Sequence, residues 1–206
     1  FGWVPVVCRG HGAKNPNSMY YKKPITIEDY RKSEMVVEPL RRLDYYEEAD
    51  AAAALVITTA ERAQDLKQSA AYILGAAQSM VAETEELNSY YRKNISVLPE
   101  MAQVGKRIFG MAGVSHKDIN CVQLDDSYGP FLPMQLEALG FCARGEGVNF
   151  CNGGDRIRVG GVLSLNTSGG SLGEGHIHGM NHVIEAVRQI RHTSPAQVKD
   201  AKLVLV

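Results

Sequence analysis

Asn166-Thr-Ser-Gly-Gly-Ser-Leu-Gly-Glu-Gly-His-Ile-His-Gly-Met-Asn181 is the densest signal in this chain of 206 residues. Four glycines within Gly169–Gly175 permit close backbone approach and positive φ ahead of a helix. The N–H groups at such a helix start stabilise an anion, including an oxyanion that develops in a transition state. His176 at this point suits acid/base work or hydrogen-bond donation. The spacing is neither G-x-G-x-x-G after a strand nor a Walker A loop, so the pattern alone also fits a glycine turn with surface histidines. Downstream, His176, Met180, Val183, Ile184, Val187 and Ile190 recur as one apolar stripe. With Arg188 and Arg191 at its C-terminal end, this stripe predicts an amphipathic helix.

Outward from that stretch, the chain alternates strand-like and helix-like segments. Ala51–Thr58 is a continuous small-apolar run ending in β-branched residues and predicts a strand buried on both sides. Ala70–Gln78, Ile119–Leu124 and Ala201–Val206 read as further strands, and Arg156–Val159 as a short one. Thr59 caps a predicted helix through Leu66. Leu98–Gly110 sets Met101, Val104 and Ile108 on one helical face, closed by Gly110 and Gly113. Pro130–Leu139 is a helix opened by Pro130 and ended by Gly140. Ser115–Asp118 marks a turn, Glu83–Asn88 a polar connection, and Gly145–Gly161 a glycine-rich one. Residues 1–36, rich in Asn, Pro, Tyr and Lys, read as an ordered loop excursion with a short helix near Ile27–Ser33 capped by Thr26. Such alternation predicts a layered α/β domain with at least partly parallel pairing.

Composition excludes several classes. Lys plus Arg number 22 against 23 Asp plus Glu, so no basic field exists to hold nucleic acid. No apolar run approaches the roughly 20 residues that span a bilayer, so no membrane span is expected. The Phe-Gly-Trp-Val-Pro start carries no signal peptide, and it suggests that the chain does not begin where its gene begins. Cys8, Cys121, Cys142 and Cys151 form no CxxC pair and have no His spaced for zinc. They read as buried, reduced thiols of a cytoplasmic protein, with no metal in this chain.

Leu124-Asp-Asp-Ser-Tyr-Gly-Pro130 follows a predicted strand, where sites form in α/β domains. Adjacent Asp125 and Asp126 point in different directions, so at most one faces a cleft. A plain turn with Asp126 or Ser127 as a helix cap is the competing reading. Lys22 and Lys23 read as a solvated face or as contacts for an anionic cofactor tail, with Arg31 as a neighbour. His11, beside a glycine, carries little weight on its own.

Together, Asn166-Thr-Ser-Gly-Gly…Gly-Glu-Gly-His-Ile-His-Gly-Met-Asn, Ala138-Leu-Gly-Phe-Cys…Gly-Glu-Gly and Ala49-Asp-Ala-Ala-Ala-Ala-Leu-Val resemble the thiolase superfamily. The nearest branch is the sterol-carrier-protein-x or lipid-transfer-protein type of thiolases and aldolases. His11-Gly-Ala-Lys-Asn-Pro…Met-Tyr…Lys-Pro-Ile-Thr-Ile-Glu-Asp matches the loop that precedes that family's second half. The likeness runs through nearly the whole chain and is weakest at residues 79–95.

The resemblance implies an α/β thiolase-like layered fold, with two similar halves stacked in five layers. This chain would be the C-terminal half, with a mixed five-stranded-type sheet covered by helices. Residues 1–36 would end the loop region, and 37–206 would form the C-terminal domain without its last strands. The family's nucleophilic Cys lies in the N-terminal half and its second acid/base Cys falls beyond Val206, so none of the four cysteines here is either. The histidine of the family's Gly-His-Pro motif maps onto His176, with Ile177 in place of the proline. Gly169, Gly170 and Gly175 form the glycine-rich turn of the oxyanion site. Ser168, Lys22, Lys23 and His178 are candidate substrate or CoA contacts, His178 alternatively a surface histidine, and Asn181 a backbone partner.

One departure stands out. The family carries His-Asp-Cys-Phe or Asn-Glu where this chain has Asp125-Asp126-Ser127-Tyr128. An ionised Asp125 repels a developing oxyanion. In a related group that cleaves 3-hydroxyacyl-CoA by retro-aldol chemistry, Asp125 or Tyr128 would take the substrate hydroxyl's proton. The resemblance thus implies an acyl-CoA C–C bond enzyme with coenzyme A as part of its substrate. A thiolase acting on a lipid, sterol or aromatic 3-oxoacyl-CoA leads, a retro-aldolase follows, and a non-catalytic scaffold subunit is a third reading. It also implies a homodimer formed through the N-terminal half and a zinc-ribbon OB-fold partner protein.

Overall fold

The computed structural model describes residues 1–81 and 93–206. In chain order the elements are α1 (Trp3–Gly12), α2 (Ile27–Lys32), β1 (Met35–Val37), β2 (Leu40–Arg41), α3 (Ala60–Gln64) and α4 (Pro99–Ala112). They continue with β3 (Cys121–Val122), α5 (Phe131–Leu139), α6 (Gly147–Cys151), β4 (Ser164–Leu165), α7 (Gly170–Gly173), α8 (Met180–Ile190) and β5 (Val204–Leu205). Local chemistry explains several ends. Thr26 Oγ1 and Asp29 exchange hydrogen bonds as a capping box for α2, and Thr59 caps α3. Gly113 and Gly140 end α4 and α5 in the left-handed region, at φ 65° and 84°.

β3 is the centre of a three-stranded parallel sheet in the order β4-β3-β5. Its alternation sorts the two faces. Val122 and Leu124 join the main core with Val4 and Cys8 of α1, Leu132 and Leu136 of α5, Phe150 of α6 and Leu172 of α7. Cys121 faces the other way, with Val198 and Ala201, and Gln123 bonds Thr167 beneath α8. Beyond β4, Asn166 lengthens the ladder with its side chain. Its Nδ2 donates to Leu124 O and its Oδ1 accepts from Leu124 N, both at 2.8 Å.

The layered α/β organisation and the helices at 99–112 and 131–139 agree with the sequence, but the sheet does not reach the expected mixed five strands. Among the described residues it has three parallel strands, and β1 and β2 pair antiparallel in a separate sheet. Ala51–Thr58 is not a strand: Val56 and Ile57 are 92% and 78% exposed. Its side chains have β character, but a strand needs a neighbouring backbone ladder, and no described strand pairs with it. Ala70–Gln78 is also irregular and lies along α4, where Arg107 Nη1 donates to Gln78 O and Ser79 Oγ to Gln103 Oε1.

Arg156–Val159 forms turns, because Gly160 at φ 85° folds the chain back into β4. Helix α1 occupies a stretch expected to be loop. The helix carrying the apolar stripe starts at Met180 rather than His176, since His178 and Gly179 adopt positive φ. The polar connection expected at Glu83–Asn88 lies outside the described residues.

Candidate active site

The glycines of the 169–175 turn serve the protein's own backbone. Gly169 sits at φ 116°, and a Cβ there would lie 2.8 Å from Gly12 Cα. A Cβ on Gly173 would collide with Cys8 O, so α7 and α1 meet backbone to backbone. The next layer, the 13–23 loop, also seats on the turn. Ser18 Oγ donates to Gly173 O at 2.7 Å, Asn15 Nδ2 to Ser168 O at 3.1 Å, and Met19 N to Glu174 O at 3.1 Å.

The anion expected at the start of this turn is present, and it is the protein's own. Fully buried Asp126 accepts from Ser171 N at 2.6 Å through Oδ1 and from Leu172 N at 3.2 Å through Oδ2. Those two amides are therefore not free to stabilise a substrate oxyanion. The two aspartates diverge as expected, but neither Asp126 nor Ser127 caps the helix that follows: α5 has Pro130 at its N-cap and no side-chain cap, and Asp126 holds amides more than 40 residues away. Asp125 is exposed, its Oδ1 accepting from Ser127 N at 2.9 Å and from Ser127 Oγ at 2.6 Å.

His176 stands half-buried on the turn's far side. Its ring stacks on Tyr46 with centroids 4.0 Å apart, meets His178 at 4.6 Å, and Nδ1 lies 3.2 Å from Ser171 Oγ. Burial lowers its pKa below the ordinary histidine value, with His178 acting in the same sense and Asp125 and Asp126 opposing. The ring is neutral at neutral pH and able to accept a proton. Tyr46 links His176 to an open pocket of about 620 Å³ lined by Val36, Arg42, Tyr45, Tyr46, Glu47, Glu48 and Tyr128. Tyr128 meets Tyr45 edge-on at 5.3 Å, and a bridge between these two residues ties the 44–46 segment to the strand-end loop.

The remaining sequence candidates fall into other settings. Ser168 is buried and donates from Oγ to Glu174 Oε2 at 2.6 Å. Glu174 also accepts from Asn15 Nδ2 at 2.8 Å, and burial raises its pKa. Asn181 Nδ2 donates to Gly175 O at 3.3 Å. His178 is exposed at φ 48°. Lys22 and Lys23 are exposed on the loop that seats on the turn, and Arg31 pairs loosely with Glu28 on α2. His11 is a buried bridge: Nδ1 donates to Asn166 O at 3.2 Å and Nε2 accepts from Val159 N at 3.1 Å. Burial takes its pKa down to about 4.

All four cysteines are free and burial raises each thiol's pKa, so none is an activated nucleophile here. Among the described residues no cluster of three His, Cys, Asp or Glu side chains is arranged as metal ligands would be.

Sequence reasoning missed Tyr45, Tyr46, Ser171 and His182. Tyr46 reaches His176 from 130 residues upstream, and no spacing signals that contact. Ser171 was in plain view inside the glycine motif. Its role depends on Asp126, which a linear reading does not join to it.

A family model described as thiolase C-terminal domain-like matches residues 82–206. Over all 206 residues the chain is 47% identical to the 17-hydroxy-3-oxo-4-pregnene-20-carboxyl-CoA lyase of Mycobacterium tuberculosis, covering 53% of it. It is 46% identical, again over its full length, to the steroid side-chain-cleaving aldolase of Thermomonospora curvata, covering 52% of that protein. A chain of the solved Ltp2-ChsH2(DUF35) aldolase superposes with a TM-score of 0.91 at 42% identity, over 98% of this chain and 53% of the other. The chain thus spans about half the length of the curated relatives it matches. The chain belongs to the thiolase C-terminal domain-like family.

Proposed function

We propose that this chain is part of an acyl-CoA lyase that cleaves a 3-hydroxyacyl-CoA side chain, of steroid type, by retro-aldol chemistry. The observation that carries the reading is the occupied turn. Asp126 fills the two amides of Ser171 and Leu172, while His176 and the tyrosine cluster stay half-open beside a pocket. Acyl transfer to a nucleophile needs donors for a tetrahedral oxyanion, and these amides do not supply them. Aldol cleavage instead needs a base for the 3-hydroxyl and a proton source for the enolate. This moves the balance from the thiolase reading, which led on sequence, to the aldolase reading.

In the proposed reaction Asp125 as its carboxylate, or Tyr128 as its phenolate, takes the hydroxyl proton, the C2–C3 bond breaks, and C3 becomes a carbonyl. The electron pair passes to C2 and the thioester oxygen as an enolate. The hydroxyl proton passes through solvent to neutral His176, and the imidazolium so formed returns it to C2, releasing a shorter acyl-CoA. The tyrosine-walled pocket receives the apolar part of the acyl chain. Lys22, Lys23 and His178 lie toward the CoA phosphates, and Ser168 acts through Glu174 rather than on substrate.

The same reading divides the chain into residues 1–36, the end of a loop region, and 37–206, a thiolase-like C-terminal domain. It puts the protein in the cytoplasm, as a homodimer with a zinc-ribbon OB-fold partner. The partner is supported by the two-protein name of the Ltp2-ChsH2(DUF35) aldolase.

The test supplies the purified assembly with a steroid 3-hydroxyacyl-CoA and no free CoA. A ketone and a shortened acyl-CoA in equal amounts are expected. A strict requirement for free CoA with a 3-oxoacyl-CoA, together with an acyl-Cys trapped by mass spectrometry, would replace this reading with the thiolase one. No turnover of either substrate, with substrate labelling confined to another chain, would favour the scaffold subunit.

A further inference from the structure

Asp126 does more in the fold than cap a helix. From the end of β3 it reaches into the glycine turn, against which its carboxylate is pressed so closely that a Cβ on Gly170 would overlap it. Around it stand Ser171 N at 2.6 Å, Leu172 N at 3.2 Å, the Cys8 thiol from α1, and His182 Nε2 from α8 at 3.5 Å. His182 is 3% exposed, and neither of its ring nitrogens has a hydrogen bond. Among the described residues its one ion-pair approach is to this carboxylate.

Ser171 therefore sits between a fixed anion and His176. Its amide is held by Asp126, and its Oγ lies 3.2 Å from His176 Nδ1. Among the described residues this is the only hydrogen bond of the His176 ring, so Nε2 is the nitrogen left for proton transfer. The turn needs such an anchor. With glycines at 169, 170, 173 and 175, its backbone has little stiffness of its own.

We propose that Asp126, backed by His182, is a positioning residue for His176: the buried carboxylate fixes Ser171, and Ser171 fixes the orientation of the imidazole. The charged groups that face His176 are Asp125 and Asp126 from the strand end and His178 and His182 from the turn and α8. Asp126 favours the protonated ring, so it also stabilises the imidazolium that forms when His176 accepts a proton. The inference rests on the reading of His176 as a proton-transfer group.

The experiment measures kcat, KM and pH–rate profiles of the full-length subunit in its assembly, for Ser171→Ala, Asp126→Asn and His176→Ala. Ser171→Ala removes one hydroxyl and should lower kcat about tenfold with KM within about twofold of wild type, the signature of misplacement rather than lost binding. Asp126→Asn removes the charge that raises the His176 pKa, so the acid limb of kcat/KM should move to lower pH. Where Asp126→Asn fails to fold, Ser171→Ala decides alone.

The proposal is overturned if Ser171→Ala keeps wild-type kcat while His176→Ala is inactive. The His176 reading then survives without its support. If His176→Ala itself keeps wild-type activity, both fall together.

Discussion

Helices α4 and α8 have similar amphipathic sequences with half-buried apolar stripes, but they meet the core through different side chains. In α4 the apolar stripe turns inward as the period predicts. Met101, Ile108 and Phe109 pack on the main core, and buried Gly105 brings the helix against Leu139. In α8 the residues that disappear from solvent are Asn181, His182, Glu185 and Gln189, all polar. None of Met180, Val183, Ile184, Val187 and Ile190 is buried, although these form the stripe that identified the helix.

Hydrogen bonds orient α8. Gln189 Nε2 donates to Thr167 Oγ1 and Glu185 Oε1 at 2.9 Å and to Ala196 O at 3.0 Å. Its Oε1 accepts from Val198 N at 2.9 Å and from Gln197 Nε2 at 3.0 Å. A hydrophobic period therefore tells that a segment is helical, but not which of its faces the protein chooses to bury.

The largest expected effect tests that polar face. Gln189→Ala strips the partners from Ala196 O and Val198 N and removes one of the bonds of Thr167, and buried groups left unpaired should cost about 3–5 kcal/mol in all. Urea denaturation reads it directly; a loss under about 1 kcal/mol would erase the contrast with α4.

Next comes His11, the buried polar residue of α1. Its pKa is about 4 in the fold against 6.5 for the ordinary group, so the folded state requires the neutral ring. The stability it contributes is complete above pH 6.5 and is lost as pH falls toward 4, reaching about 3 kcal/mol at the limit. Denaturation midpoints from pH 7 to pH 4, compared between wild type and His11→Asn, measure it. Equal slopes would refute it.

A smaller loss belongs to the apolar face of α4. Ile108→Ala removes a half-buried side chain from the core edge and should cost about 2 kcal/mol, toward the low end for such truncations.

The same contrast explains what was legible from sequence. Proline and glycine punctuation marked the ends of α4 and α5, because Gly113, Pro130 and Gly140 act within one helical turn of their own positions. Thr26 and Thr59 were readable as caps for the same reason. Ala51–Thr58 was misread, because strand formation depends on a ladder partner that composition does not reveal. Helix α1 was missed because its glycines look like loop residues. In the fold, Gly12 is needed where α1 meets Gly173. Within the candidate site, the glycine turn, His176 and the paired aspartates showed themselves through local spacing. Tyr46, His182 and the bond from Asp126 to Ser171 did not, since each joins segments that only the folded chain brings together.

The smallest expected effect is also the sharpest use of the comparison. Val187 lies on α8's apolar stripe, two positions from Gln189, and it is half-buried where Gln189 has no exposure. If hydrogen bonds rather than the apolar stripe hold this helix, Val187→Ser should change stability by no more than about 0.5 kcal/mol, as a surface substitution does. Helix propensity does not disturb the reading, because valine and serine rank close together in that respect. Measured beside Gln189→Ala by urea denaturation of the same chain, it should leave a several-fold gap between two neighbours on one helix. A loss from Val187→Ser that matches Ile108→Ala would mean that α8 packs its stripe on the core as α4 does, and that its polar face only accompanies a conventional apolar contact.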